Sequence, residues 1–453
     1  MRARLLFMTC ILPAAFISCA LTAAPLKDPP TKYFTLDNGL RVYLMEKHSV
    51  PLVHFAFGFN CGSKDETQET SGLVHLLEHM LLFGGSEDRS GDEVGRDIRS
   101  HGGYFNGHTD RDLSLFVMTV PADAVDFALN DQKTRLFELP INQAALDKEK
   151  EVILEELMQI KDDPLRYASA RVYQNLFKGH VYEKPIYGRA EVIQNTDTAQ
   201  LAEFHHRFFV PANCALGIVG DFMIPEMEKK VREYLGTLES RELSLPEHGP
   251  AAPLKSTVEE TESMDVTRAY MVIGITAPDY NHADQYAADL LTEVLGRGIN
   301  PMLNHPLLER RIHVSNLSMS YGAHRFGGAF LIRLTMEPKN ISAARREILK
   351  YLKTSQNLKF SVKDHFGDAQ LRAMDFMESA RSRILFRSHR SQEYGALMAE
   401  SIARHLLLTD ESERPDYIER IQALTSSGLR KTAARYLSKP HISIVSIVPN
   451  KED

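Results

Sequence analysis

Apolar and polar positions along this chain alternate with two periods, and the points where one gives way to the other outline its elements. Residues 53–59 (Val-His-Phe-Ala-Phe-Gly-Phe) switch sides at every step, as a strand does. After a polar loop, residues 71–83 are apolar nearly all round (Leu73, Val74, Leu76, Leu77, Met80, Leu81, Leu82), which predicts a buried helix that stops at Gly84 and Gly85. The same succession of alternating strand, polar loop, apolar helix and glycine stop returns at 269–298. Further on, 204–221 is echoed by 433–449, each a helix end followed by a proline-containing turn and a β-branched strand. A repeat near 216 residues predicts a duplicated domain, because solenoid repeats are far shorter. Residues 237–256 are polar, contain proline and lack sustained periodicity, so they read as a linker. The expected organisation is a soluble α+β or α/β protein with domains over 25–240 and 257–453 and a linker over 241–256.

The first 24 residues read differently. Arg2 and Arg4 precede an apolar run to Ala24 that ends in small residues, the pattern of a secretory signal peptide cleaved near Ala23 or Ala24. An uncleaved anchor is the alternative, disfavoured by Pro13 and the small, polar tail; lipid attachment at Cys19 is weaker, with Phe16 where an aliphatic residue is expected. No later segment is long and apolar enough to span a membrane, so the expectation is an exported, periplasmic protein with no stable span after cleavage. Cleavage leaves two cysteines, Cys61 and Cys214, and spacing does not say whether they are bridged. A net charge of -7, with no long basic run, excludes the electrostatic footprint of a nucleic-acid binder.

The chemistry begins at His75-Leu76-Leu77-Glu78-His79. The two histidines lie one turn apart on one helix face and Glu78 shares that neighbourhood. Burying two imidazoles and a carboxylate costs several kcal/mol unless they are paired or bound to a metal. Histidines at i and i+4 can present two nitrogens to one Zn²⁺, leaving the adjacent glutamate as a base toward water. A chance pattern of satisfied core histidines is the alternative. A second helix, about 144–161, strengthens the metal reading: Glu149, Val152, Ile153, Glu156 and Ile160 fall at steps of three and four on one face, so two glutamates interrupt an apolar stripe. The competing reading is a solvated acidic helix.

These residues resemble the pitrilysin/insulinase zinc peptidases, whose inverted motif is HxxEH. In that family the third ligand is a glutamate 77 residues beyond the second histidine, preceded seven positions earlier by another; here those positions are Glu156 and Glu149. The resemblance implies one zinc per chain held by His75, His79 and Glu156, with Glu78 as general base and Glu149 as a supporting carboxylate behind the ligands. Residues 102–123 resemble the strand whose backbone pairs with the peptide substrate; Asn106 and Thr109 match, and Gly107 stands where alanine is usual. Residues 179–193 resemble the family's His-Pro-Tyr…Gly loop, with Val181 in place of proline, and 210–222 its first-domain end. The implied fold is α+β, two duplicated domains each with a mixed sheet packed with helices, facing one another as half of a clamshell.

The second half departs from the pattern. Aligning 290–295 on 76–81 puts Asp289 and Glu293 at the histidine positions and Thr292 at the base, so only the first half is expected to hold metal. The family also uses an Arg and a Tyr seven residues apart to hold substrate. Here Leu308 and Ser315 occupy those places, and Arg310, Arg311 and Tyr321 are out of register. The resemblance therefore implies the zinc-bearing endopeptidase subunit of a heterodimer, with a homologous partner supplying the Arg/Tyr pair. A non-catalytic scaffold or binding subunit of the same fold is the alternative, disfavoured by the intact ligand and base positions.

Overall fold

A computed structural model describes residues 29–85, 89–139, 141–241, 243–298, 301–360, 376–409, 416–438 and 441–450. The expected leader at 1–24 lies outside the described residues. The first half builds a six-stranded sheet from β1 (Thr31–Thr35), β2 (Arg41–Glu46), β3 (Leu52–Phe59), β4 (Tyr104–Thr109), β5 (Ser114–Pro121) and β6 (Cys214–Gly220), in the order β1-β2-β6-β3-β5-β4. The second half builds a five-stranded sheet from β7 (Val258–Met264), β8 (Ala269–Ala277), β9 (Val314–His324), β10 (Gly327–Met336) and β11 (Ser443–Pro449), in the order β7-β11-β8-β10-β9. Without β1 the two orders coincide. Each sheet has one parallel pair, β2 with β6 and β7 with β11, in an otherwise antiparallel ladder. The architecture is thus α+β with two mixed sheets packed with helices, as expected. Between the helix ending at Leu235 and β7 the described chain has no regular element. No described helix is long and apolar enough to cross a membrane. Cys61 and Cys214 are buried free thiols.

Side-chain alternation decides which layer each sheet face receives. On β3, Phe55, Phe57 and Phe59 join the main core of the first half with α1 (Leu73–Phe83), and Ala56 faces the other way. Among the described residues, that opposite face is not covered by a helix of the first half itself. The long α2 (Gln143–Asp162) packs on α1, and the next helix, α3 (Pro164–Leu176), leaves for the second sheet. There its Ala168, Val172 and Leu176 cluster with Val272 of β8, Leu331 of β10 and Val445 of β11. The second half repeats the sequence of events. Its α4 (Gln285–Gly296) packs on α5 (Phe376–Glu393), and α6 (Gly395–Thr409) crosses back to the first sheet. Ala399, Ile402, Ala403, Leu406 and Leu407 of α6 lie against Ala56, Leu115, Ala215 and Val219.

Two glycines 216 positions apart make room for this exchange. A Cβ on Gly58 of β3 would sit 2.6 Å from Leu407, and one on Gly274 of β8 would sit 2.1 Å from Val172. Each half therefore buries an apolar helix from the other. At about 1.5–3 kcal/mol for each large aliphatic side chain removed from water, the exchange binds the halves into one unit. The two halves of the chain are interlocked rather than simply apposed.

Candidate metal centre

One buried helix, one largely exposed helix and one sheet edge position the candidate residues. The chain enters α1 at Gly72, whose φ of +103° belongs to the left-handed region. The first turn is tied down by Glu66, whose Oε1 accepts from the amide of Val74 at 3.0 Å. On this helix His75, Glu78 and His79 are only 6–8% exposed. Helix α2 begins at Asn142, whose side chain accepts from the amides of Ala144 and Ala145. Its Leu146, Glu149 and Ile153 are buried, and Glu156 continues that face at the margin of solvent.

The four ligand-type residues converge. His79 Nδ1 lies 3.0 Å from Glu149 Oε2, which orients the ring and turns Nε2 toward Glu156. The Nε2 atoms of His75 and His79 are 3.6 and 3.8 Å from the same carboxylate oxygen of Glu156. One donor atom from each of His75, His79 and Glu156 lies within 4.8 Å of the others. Zinc bonds of 2.0–2.1 Å in tetrahedral geometry put neighbouring donors about 3.3 Å apart, so a small contraction closes the trio around an ion. Burial and the neighbouring His79 push His75 down to about 3, which keeps it neutral, the form that binds metal. Its buried Nδ1 has no hydrogen-bond partner among the described residues, an orphaned polar atom at the centre. The donor set fits zinc.

Glu78 stands beside the trio and outside it. Burial raises its carboxyl above the ordinary glutamate range, against the opposing pull of Thr109, His79 and His108. Thr109 belongs to β4, which ends the first sheet and pairs only with β5 among the described strands. Asn106, Gly107 and Thr109 lie along that edge, opposite Val117, Phe116 and Ser114. The glycine at 107 has a local reason: a Cβ there would come within 2.9 Å of the Phe116 ring.

Leu308 is 57% exposed and Ser315 Oγ donates to the Thr335 carbonyl. Tyr321 donates to the Pro278 carbonyl, and Arg310 lies 4.0 Å from Glu347. Sequence reasoning missed two features near the centre. Helix α6 of the second half reaches the end of β4, where Arg404 pairs with Asp110 at 2.8 Å and Glu400 with His108 at 3.3 Å. Tyr187 packs edge-on against His75, with ring centroids 4.9 Å apart. For the second, the Tyr187-Gly188 step in the 179–193 loop was the one local sign in the sequence.

Comparison with known proteins agrees with this arrangement. The model of the insulinase family (peptidase family M16) matches residues 41–190, and that of the peptidase M16 inactive domain matches residues 196–365. An uncharacterized zinc protease of Bacillus subtilis is 25% identical over 60% of this chain, a match spanning 65% of that protein's length. A probable mitochondrial-processing peptidase subunit beta of Schizosaccharomyces pombe is 22% identical over 92% of this chain and 91% of its own. The crystal structure of a protease from Helicobacter pylori has the same fold, with a TM-score of 0.84 at 20% identity, covering 93% of this chain and 100% of that one. One model of the family spans the candidate centre and the other spans β6 and four strands of the second sheet, and the chain belongs to the insulinase family of peptidases, M16.

Proposed function

We propose that the chain is an exported zinc endopeptidase that hydrolyses peptides or unfolded segments, and that it is the zinc-bearing subunit of a heterodimer. The observation that carries the reading is the convergence of His75, His79 and Glu156 with a separate buried carboxylate, Glu78, beside them. His75, His79 and Glu156 would hold the ion, and Glu149 would fix the His79 ring through Nδ1. Zinc bound there supplies Lewis acidity to the scissile carbonyl and lowers the proton affinity of water at the site.

The chain's own groups supply the rest. Glu78 takes the proton of the attacking water and passes it to the leaving amine; its raised proton affinity suits both halves of that exchange. The open edge of β4 at Asn106, Gly107 and Thr109 accepts the substrate as an added strand, which places a backbone carbonyl near Glu78. Leu308 and Ser315 offer no cation or phenol, which supports a homologous partner that completes the substrate wall and carries the Arg/Tyr pair. The Schizosaccharomyces relative's name, a subunit, is in keeping with that assembly. The charged leader-like pattern of residues 1–24 supports the periplasm as its compartment.

The test is hydrolysis of a quenched peptide library by the mature chain, with and without chelator, alone and after mixing with a homologous subunit that carries the pair. Chelator-sensitive cleavage, with KM lowered by the partner, supports the reading. A chain that binds peptides but cleaves none with its zinc in place is instead the scaffold subunit.

A further inference from the structure

Tyr187 meets His75 edge-on, with centroids 4.9 Å apart and planes at 80°. Its hydroxyl oxygen accepts from Nη2 of Arg166, in the first turn of α3, at 3.3 Å. No described residue accepts the hydroxyl proton, so the phenol keeps a free donor beside the candidate metal ligands. Tyr187 is half-buried and Arg166 exposed, so the pair lies at the solvent margin of the candidate centre.

The phenol's position is fixed by the backbone beneath it. Gly188, at φ +76°, abuts Gly72 so closely that a Cβ on it would lie 2.2 Å from the Gly72 Cα. The amide of Arg189 donates to the Ser71 carbonyl at 3.3 Å, a second tie between this loop and the entry to α1. The helix that carries His75 and the loop that carries Tyr187 therefore move as one piece. A fixed O–H donor, polarised by a guanidinium at its oxygen, suits an atom on which negative charge develops.

From this geometry we infer that Tyr187 is a catalytic residue of the peptidase reaction: its hydroxyl donates to the carbonyl oxygen of the scissile peptide as that oxygen becomes anionic. Arg166 is the positioning residue that orients the phenol. The inference rests on the peptidase reading and adds to it a donor supplied by this chain, independent of any partner. It assigns kcat to Tyr187 and leaves substrate affinity to the β4 edge and the partner.

The test compares the zinc-loaded wild type with Tyr187→Phe, which keeps the ring against His75, and with Arg166→Ala and Arg166→Lys. Calorimetry measures the affinity of a phosphinic peptide, whose tetrahedral anionic group carries the charge of the oxyanion. It also measures the affinity of the matching intact peptide in a Glu78→Gln background. In Tyr187→Phe the expected losses in kcat and in phosphinic-peptide affinity are each about a hundredfold. KM, intact-peptide affinity and zinc content stay within about twofold of the wild type. Arg166→Ala loses less, and Arg166→Lys recovers part of that loss. Full kcat and full phosphinic-peptide affinity in Tyr187→Phe would overturn the assignment and leave the ring a packing group. A wild-type chain that neither cleaves peptides nor binds the phosphinic peptide overturns the peptidase reading, and this assignment with it.

Discussion

The two halves place buried polar side chains at the same points of the same topology and satisfy them differently. In the first half, α1 presents His75, Glu78 and His79 to the glutamates of α2. In the second, α4 presents Glu293 to the arginines of α5, while Asp289 meets Tyr417 and Thr292 donates to the Ala288 carbonyl of its own helix. Glu293 is 2% exposed and accepts from Arg383 Nε at 2.9 Å and also from Arg387. Burial pushes its carboxyl up, but the two guanidiniums overcome that and hold it below the ordinary range. Asp289 accepts from the Tyr417 hydroxyl at 3.0 Å, and burial raises it to about 6. The second half carries its cations covalently. The first half gathers Glu78, Glu149 and Glu156 about two imidazoles with no arginine paired to them among the described residues, an arrangement that a cation from solution would complete. The same buried geometry becomes a candidate metal centre or a closed ion-pair network according to which side chains carry the charge.

The largest effect expected is on catalysis. Glu78→Gln removes the base without touching a ligand, so zinc content and thermal midpoint hold while kcat falls by about 10³-fold or more. Glu293→Gln, at the position of the second half that answers to His79, changes kcat little. Steady-state kinetics on both variants breaks the comparison if their losses are similar.

Next in size is stability. Arg383→Met with Arg387→Met leaves the Glu293 carboxylate buried without a counter-charge, a loss of about 3–5 kcal/mol in denaturant unfolding. Adding Glu293→Leu recovers most of it. Chelator lowers the thermal midpoint of the wild type but not that of His79→Ala, because only the first half takes its cation from solution. Insensitivity of the wild type to chelator would remove the contrast between the halves.

The helix exchange gives a third test. Leu407→Ala on α6 removes a fully buried side chain from the first sheet, although its own helix belongs to the second half. A loss of about 2–4 kcal/mol is expected, with both halves unfolding in one transition by hydrogen exchange. Separate transitions would mean that the halves are not interlocked.

The smallest effect concerns Asp289. Its folded pKa of about 6 lies above the unfolded value of 3.8, so the folded state binds more proton between them. The stability this group contributes is fully present below about pH 3.8 and is lost as pH rises through about 6. Asp289→Asn, which stays neutral, is therefore expected to raise the thermal midpoint by a few degrees at pH 7.5 and to have little effect at pH 4. An equal shift at both pH values would show that ionisation of Asp289 is not the cause.

Much of the first half was legible in the sequence because its signals are local. The one-turn spacing of His75 and His79, and glutamates at 149 and 156 on the stripe with Ile153, follow from helical periodicity alone. The duplication was legible through β3 with α1 against β8 with α4, where strand and helix patterns recur together. The exchanged helices were not, because an apolar stripe such as Ala399, Ile402, Ala403 and Leu406 says that a face is buried and not which sheet buries it. Pairing of Glu293 with Arg383 and Arg387 spans about 90 residues of sequence, a separation at which spacing carries no information. The contact of Tyr187 with His75 depends on the close approach of Gly72 and Gly188, which only the folded backbone brings together.

The most direct measurement is the metal content of the purified chain by elemental analysis, taken together for the wild type and for His79→Ala. The account predicts about one zinc per chain in the wild type and nearly none in the variant, with the second half contributing nothing to either figure. Zinc retained in full by His79→Ala, or none bound by a folded wild-type chain, would contradict it.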